Sequence, residues 1–287
     1  MINYSAFIIF LEFTMSVFIY TTLSIFRLFC NVFFNLKHKK YRHYSFRNSK
    51  WRQKSSFLTL GQIPSKSVDM VLCDLPYGIT QNSWDSVVPL ELLWQEYERV
   101  VKDNGVVVLT ANQPFTSFLI TSNIKLFKYS LVWEKSLKTN FLNAKKQPLR
   151  SHEDIVVFYK NQCTYNPQGL VKGKISGGNK LTSSYGRWKS NSNNQIYTNY
   201  PNSIIKIANP NHGNVHPTQK PVELFEYLVR TYTNIGDLVL DNCIGSGTTA
   251  IACLNTSKKF IGIDSNEKYV ELALNRIKAA QNTKLAC

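Results

Sequence analysis

From residue 57 onward the apolar and polar positions switch repeatedly between two periods, and each switch marks an element. Val68–Cys73 is a short, β-branched apolar run closed by Asp74, which predicts a buried strand. Between Pro89 and Asn104 the residues Leu90, Leu93, Trp94, Tyr97, Val100 and Val101 recur at spacings of three and four. They form one helical face, with Gly105 placed to end the helix. Val106–Leu109 predicts another buried strand and Thr116–Asn123 a helix; Leu131–Glu134 and Ile155–Tyr159 predict further strands. Residues 161–215 lose the pattern and fill with Asn, Ser, Gly and Lys. It returns with a helix over Pro221–Tyr232, Pro221 suiting its first turn. A strand Leu238–Leu240, a glycine turn, a helix from about Thr248, a strand Phe260–Ile263 and a helix Glu267–Ala280 follow. Strands alternating with helices predict an α/β layered fold with a mostly parallel sheet.

Residues 1–60 do not share this pattern. Residues 5–36 are rich in Phe, Ile, Leu and Tyr, but Glu12 and Arg27 leave only the 14 residues Phe13–Phe26 uninterrupted. A helix needs roughly 20 apolar residues to span a bilayer. Lys37, Lys39, Lys40, Arg42 and Arg47 follow and would hold that end in the cytoplasm. A cleaved signal peptide would place its basic residues before the apolar run. Three readings stand at this point: a membrane anchor, an amphipathic surface segment, or residues foreign to the functional protein, introduced by a frame change or misplaced start. The third is favoured, and membrane association is not expected. The composition changes near Ser55–Gly61. The expected organisation is an atypical segment, 1–60, and one domain, 61–287, with a basic insertion at about 135–215.

The chain has 287 residues, 44% of them hydrophobic, enough for a sizeable core and too many for a disordered chain. Its net charge of +16 is unevenly spread. Residues 1–56 carry +8, residues 57–134 carry −3, residues 135–220 carry +11 and residues 221–287 are neutral. A uniformly basic surface is excluded, and the block at +11 points to a polyanion such as nucleic acid. The six cysteines are scattered without a CxxC pair, so neither a disulfide framework nor a zinc site is expected, and no metal.

Two strand ends carry candidate chemistry. Asp241-Asn-Cys-Ile-Gly245-Ser-Gly247-Thr-Thr249 follows a strand and opens a helix. Glycines let the backbone approach a ligand, and amides at a helix start donate to it. Asp264 closes the next strand, where a carboxylate can accept ribose hydroxyls. The combination points to an adenosine-bearing cofactor; the alternative is a tight βα turn with an incidental aspartate. Asp74-Leu-Pro-Tyr77-Gly78 sits at the carboxyl end of the strand 68–73. Pro76 biases Leu75 towards an extended backbone. Asp74 and the Leu75 carbonyl are then two acceptors for one amino group, with Tyr77 a flat face beside them. A β-turn made by Pro-Tyr-Gly is the plainer alternative.

Asp74–Tyr77 resembles the (D/N/S)PPY motif of amino-group DNA methyltransferases, which make N6-methyladenine or N4-methylcytosine. Asp241–Thr249 resembles their S-adenosylmethionine motif, and His216-Pro-Thr-Gln-Lys-Pro221 the motif preceding it in the β subclass. The order of catalytic motif, target-recognition region and cofactor motif is that of the subclass, and the resemblance covers roughly residues 63–280. It implies a Rossmann-like S-adenosylmethionine-dependent methyltransferase fold with helices on both sheet faces and a circularly permuted motif order. It also implies a site-specific enzyme acting on double-stranded DNA in the cytoplasm, with a restriction endonuclease as an expected partner.

Carried over by resemblance, Asp74, Leu75, Pro76 and Tyr77 form the catalytic pocket. Asp241, Gly245, Gly247 and Thr248 line the cofactor, Asp264 holds its ribose, and Thr218 and Lys220 lie near it. Lys220 as a solvated lysine at a helix start, and His216 as a capping or packing residue, are the plainer readings. Leu75 replaces the usual proline, and Asn242-Cys243 the usual Pro-Phe. In the basic block, Lys135, Lys138, Lys145, Lys146 and Arg150 are expected to meet phosphates, as are Lys172, Lys174, Lys180, Arg187 and Lys189. Tyr165, Tyr185 and Trp188 are weighed as wedges or stacking groups against ordinary packing. Asp at position 74 favours adenine by resemblance. An N4-cytosine enzyme and an inactive DNA-binding relative are the alternatives; RNA or protein-glutamine methyltransferases usually have the reverse motif order.

Overall fold

The structure, a computed structural model, describes residues 44–45, 60–77, 88–173, 196–209 and 219–285. Its elements are β1 (Tyr44–Ser45), β2 (Val68–Asp74), α1 (Leu90–Val100), β3 (Val101–Ala111), α2 (Phe115–Ser122), β4 (Phe127–Thr139) and β5 (Arg150–Phe158). Then come β6 (Val171–Lys172), β7 (Tyr197–Thr198), β8 (Ile204–Lys206), α3 (Val222–Tyr232), β9 (Leu238–Asp241), α4 (Thr248–Asn255), β10 (Lys259–Gly262) and α5 (Glu267–Leu285). Of residues 1–59, only Tyr44–Ser45 is described, as a short edge strand antiparallel to β10.

One sheet runs in the order β1-β10-β9-β2-β3-β5-β4-β8. The four strands β10, β9, β2 and β3 are parallel. β5 is antiparallel to both its neighbours, so β4, with β8 alongside it, points the same way as the central strands. The sheet is therefore mostly parallel, as the α/β alternation predicts. β6 and β7 form a separate antiparallel pair.

Residue alternation sorts the strand side chains into two apolar layers. Met70, Leu72, Val106, Val108 and Val239 face α3 and α4, meeting Leu224, Phe225, Leu228 and Ile251. Val71, Cys73, Val107, Leu109 and Leu240 face α1 and α2, meeting Leu93, Trp94, Tyr97 and Leu119. Strands buried on both faces read as continuous apolar runs, which is why Val68–Cys73 and Val106–Leu109 were legible. Each fully buried Val or Leu contributes about 1.5–3 kcal/mol, so the central strands are the rigid base on which their carboxyl ends are held.

Three expectations are corrected. α1 ends at Val100, and Val101 is already extended and paired with Val68. The register then jumps to Met70 opposite Val106, so Lys102–Asn104 step out of the ladder. Gly105 does not cap the helix; a Cβ there would lie 2.8 Å from the Asp69 carbonyl, and the close approach of two backbones is what demands glycine. Strand pairing outweighs the helical period across Val100–Val101. β4 is far longer than Leu131–Glu134, because its first residues are mostly half-buried and its last four are exposed, so neither end shows a buried run. β8 arises inside the patternless stretch, with the Trp133 indole donating to the Ile207 carbonyl at 2.8 Å.

Candidate functional site

Between the parallel strands β9 and β2 the order of strand addition reverses: β9 leads outward to β10, and β2 outward to β3 on the other side. Such a switch point opens a crevice at the carboxyl ends of the strands. Val71 stands opposite Leu240 in parallel register, so the turns after Asp74 and after Asp241 emerge side by side.

Asp74 is held by three partners. Its Oδ1 accepts from the Thr110 hydroxyl on β3 and from the Tyr77 hydroxyl at 2.5 Å. Its Oδ2 lies 2.9 Å from the Lys220 ammonium. An ionised carboxylate offers about four lone-pair directions, so one on Oδ2 is left for another donor. Leu75, 2% exposed, is anchored in the apolar layer on the α1 side, which fixes the turn without the usual proline. The Tyr77 ring lies 5.3 Å from that of Phe115, and Lys220 sits 5.7 Å from its centre. Burial, and next the Asp74 charge, push the Tyr77 phenol well above its usual value, so it serves as a donor. Burial does the same to the neighbouring Cys73 thiol, as befits a structural cysteine.

Lys220 is not a solvated lysine at a helix start. It is 9% exposed and bridges Asp74 and Glu153, whose Oε2 is also 2.9 Å away. Glu153 on β5 in turn binds Lys135 of β4 at 2.7 Å. Lys135 is therefore buried, not a phosphate contact, and its ammonium lies 5.8 Å from the Trp133 ring. The result is a chain of alternating charge, Lys135–Glu153–Lys220–Asp74. Burial works to raise the Glu153 carboxyl, but Lys220 and Lys135 outweigh it and hold it below the usual value. Burial likewise opposes the Lys220 charge, and Asp74 and Glu153 outweigh it, raising that ammonium's pKa.

Sequence reasoning missed Thr110, Glu153 and the inward turn of Lys135. A signal was present. Glu153 and Asp154 are the two acidic residues in the block 135–220, both on a strand. Both are used inside the fold, Asp154 accepting from Thr116 at 2.6 Å.

On the β9 side, Asp241 turns inward. Its carboxylate is 3% exposed and accepts from the Thr249 hydroxyl and, at 3.0 Å, from the Cys243 amide. Burial raises its pKa to about 7. Asp241 thus shapes the turn from within. Asn242 accepts from the Tyr97 hydroxyl at 2.6 Å, tying the turn to α1. Gly245 and Gly247 have φ of 50° and 87°, where side chains are strained. A Cβ at Gly247 would press on Ala273 at 3.0 Å, so this glycine serves helix packing. At Gly245 the nearest atom would be the Cys243 carbonyl oxygen at 3.8 Å, leaving that face open to a ligand. Thr248 is buried at the start of α4. Asp264 accepts from the Gly245 amide at 2.9 Å and the Asn266 amide at 2.8 Å, joining the two βα turns. A carboxylate closing the strand at this junction is the acceptor type that a ribose hydroxyl calls for. An open glycine, a carboxylate beside it and a helix start fit an adenosine-bearing cofactor.

Lys138 is exposed near the end of β4, Lys145 and Lys146 are exposed on the β4–β5 connection, Arg150 is half-buried where β5 begins, and Lys172 is exposed in β6. Tyr165 packs near Tyr232, with ring centroids 6.3 Å apart. Thr218, Lys174 and Arg187 lie outside the described residues, as do Lys180, Lys189, Tyr185, Trp188 and His216. Among the described residues no group of three or more His, Cys, Asp or Glu is arranged to hold a metal, and no helix is long and apolar enough to cross a membrane.

Residues 68–275 match the DNA methylase family of the N6/N4 type. The chain is 29% identical over 243 residues to the DNA adenine methyltransferase YhdJ of Escherichia coli (strain K12), covering 78% of this chain and 80% of that one. It is 28% identical over 252 residues to type II methyltransferase M1.MboII of Moraxella bovis, covering 78% and 95%. In structure it resembles the M1.HpyAVI–SAM complex, with TM-score 0.53 and 23% identity over 76% of this chain and 90% of the other. It also resembles the cytosine-N4-specific PvuII DNA methyltransferase, with TM-score 0.53 and 16% identity over 78% and 87%. These two likenesses carry the fold. With the two motif turns side by side at the switch point and the family match spanning both, the chain belongs to the N6/N4 DNA methylases, S-adenosylmethionine-dependent enzymes that methylate DNA.

Proposed function

We propose that the enzyme methylates the N6 amine of adenine, site-specifically, in double-stranded DNA, with the base swung out of the duplex. The observation that carries this reading is the parallel register of β2 and β9, which brings the Asp74 and Gly245 turns to one edge. S-adenosylmethionine supplies an electrophilic methyl group. Gly245 and Asp264, with the start of α4, would hold it; Thr218 is assigned to the same task by resemblance.

The amine of adenine is a poor nucleophile because its lone pair is delocalised into the ring. Asp74 Oδ2 and the Leu75 carbonyl accept its two hydrogens, favouring a more pyramidal nitrogen whose lone pair points at the methyl group. Thr110, Tyr77 and Lys220 fix the Asp74 carboxylate in advance. Tyr77 offers its ring to the base, a stacking contact worth about 1–3 kcal/mol, which offsets part of the cost of unstacking.

Adenine over cytosine rests on Asp at position 74 and on the adenine-specific name of the YhdJ relative. The relatives named as type II methyltransferases support a restriction endonuclease as partner and a cytoplasmic site of action. Residues 61–287 are read as the methyltransferase domain, with 135–215 its DNA-facing insertion and 1–60 as foreign to it apart from Tyr44–Ser45, which pairs with β10. Confident detection of peptides from 1–55 by mass spectrometry in native cells would overturn the last point. The main reading is tested by methylating plasmid DNA and digesting it to nucleosides. N6-methyldeoxyadenosine is expected; N4-methyldeoxycytidine would replace the base assignment.

A further inference from the structure

The β4–β5 connection carries exposed apolar side chains at its tip. Phe141 is 74% exposed and Leu142 86%, with Leu137 and Leu149 exposed on its flanks. Single exposed apolar residues are ordinary, but four within the 13 residues 137–149 form a feature to be explained. The tip is also shaped. Phe141–Asn143 is a 3-10 turn entered through Asn140 at φ 72°. The Asn143 amide donates to Asn140 Oδ1 at 2.8 Å, and the Lys146 backbone amide donates to the Asn143 carbonyl at 2.8 Å.

Its position follows from the ladder. Asp74 is level with Thr110, Thr110 with Ile155, and Ile155 with Leu131. From Leu131 to Thr139 is eight residues, so β4 rises up to about 25 Å beyond the Asp74 level. It rises at the carboxyl edge, on the side where the site opens. Lys135 and Glu153 tie the base of this projection to Lys220 and Asp74.

The chemistry names the partner. Residues 135–152 contain no acidic residue, and Lys138, Lys145, Lys146 and Arg150 surround the apolar tip. A second copy of the chain docking through this face would oppose like charges, whereas a duplex offers phosphates to the lysines and a base stack to the apolar groups. Apolar side chains inserted between base steps unstack them. We propose that Phe141 and Leu142 form a wedge that enters the stack beside the target and occupies the space the extruded base leaves. This rests on the reading that the base leaves the duplex.

The test is the double variant Phe141→Ala/Leu142→Ala of the full chain, on a short duplex bearing the sequence mapped from methylated plasmid DNA. With 2-aminopurine at the target, wild type should raise its fluorescence and the variant should lose most of the rise. Variant affinity should fall about tenfold on paired DNA and recover when an abasic site faces the target. If wild type itself gives no rise, extrusion fails and the wedge with it. If wild type and variant give the same rise, extrusion stands and the wedge is overturned. A wild-type dimer that the variant reduces to a monomer in sedimentation velocity, with unchanged fluorescence, assigns the tip to self-association and equally overturns it.

Discussion

The Lys220 ammonium stands 2.9 Å from Asp74 Oδ2, at the end of a buried chain of charges that reaches Lys135 through Glu153. Lys220 thus acts on the Asp74 turn from a segment 146 positions away in the chain. Its partners lie on β2 and β5, with β3 between them supplying Thr110, so three strand ends and one helix start converge on a single carboxylate.

Replacing that carboxylate is the most direct probe. Asp74→Ala should lower methylation by on the order of 1,000-fold, in line with loss of a positioned polar group in a site. Calorimetry should find cofactor affinity within a few-fold of wild type, because the glycine turn does not depend on Asp74. Full activity in the variant would remove Asp74 from the chemistry.

Lys220 should behave as a positioning residue. Lys220→Met leaves Asp74 and Glu153 without their shared ammonium; breaking a buried pair costs about 3–5 kcal/mol of stability. Lys220→Met/Glu153→Gln should recover most of that loss in urea titrations while kcat stays low, and Lys220→Arg should retain part of kcat. Recovery of kcat together with stability would reduce Lys220 to a structural role.

Asp241 makes a pH prediction. Its carboxyl is raised to about 7 by burial, against an ordinary 3.8 in the unfolded chain. The folded state therefore binds the proton more tightly, and this contribution is fully present below about pH 4. It is lost as pH rises through 7, on the order of 4 kcal/mol over the window. Urea unfolding between pH 5 and 8 should show stability falling with pH, and Asp241→Asn should flatten that slope. An unchanged slope in Asp241→Asn would contradict the assignment.

The exposed lysines of the hairpin should report on phosphate contact. Lys145→Gln and Lys146→Gln should each reduce the slope of log affinity against log salt by about 0.9, leaving cofactor binding untouched. Slopes equal to wild type would place these lysines off the DNA.

What could be read from the chain alone was whatever rests on local pattern. Val68–Cys73 and Val106–Leu109 are buried on both faces, so their apolar runs announce strands without reference to partners. The turns Asp74–Tyr77 and Asp241–Thr249 carry their chemistry in consecutive residues, and their order along the chain suffices for the family. Folding was needed wherever the meaning lies in pairing between distant segments. Val101 reads as helix by spacing, yet pairing with Val68 draws it into a strand. Lys135 and Lys138 are neighbours in one basic run. The first is buried against Glu153 and the second exposed, because β4 runs past its covered part after Lys135, and only the tertiary packing determines where that cover ends. Lys220 is ambiguous as a lysine before a proline, and becomes a clamp on Asp74 only because β5 brings Glu153 to the same edge. A desolvated charge needs a partner in space, and no spacing along the chain encodes where that partner will stand.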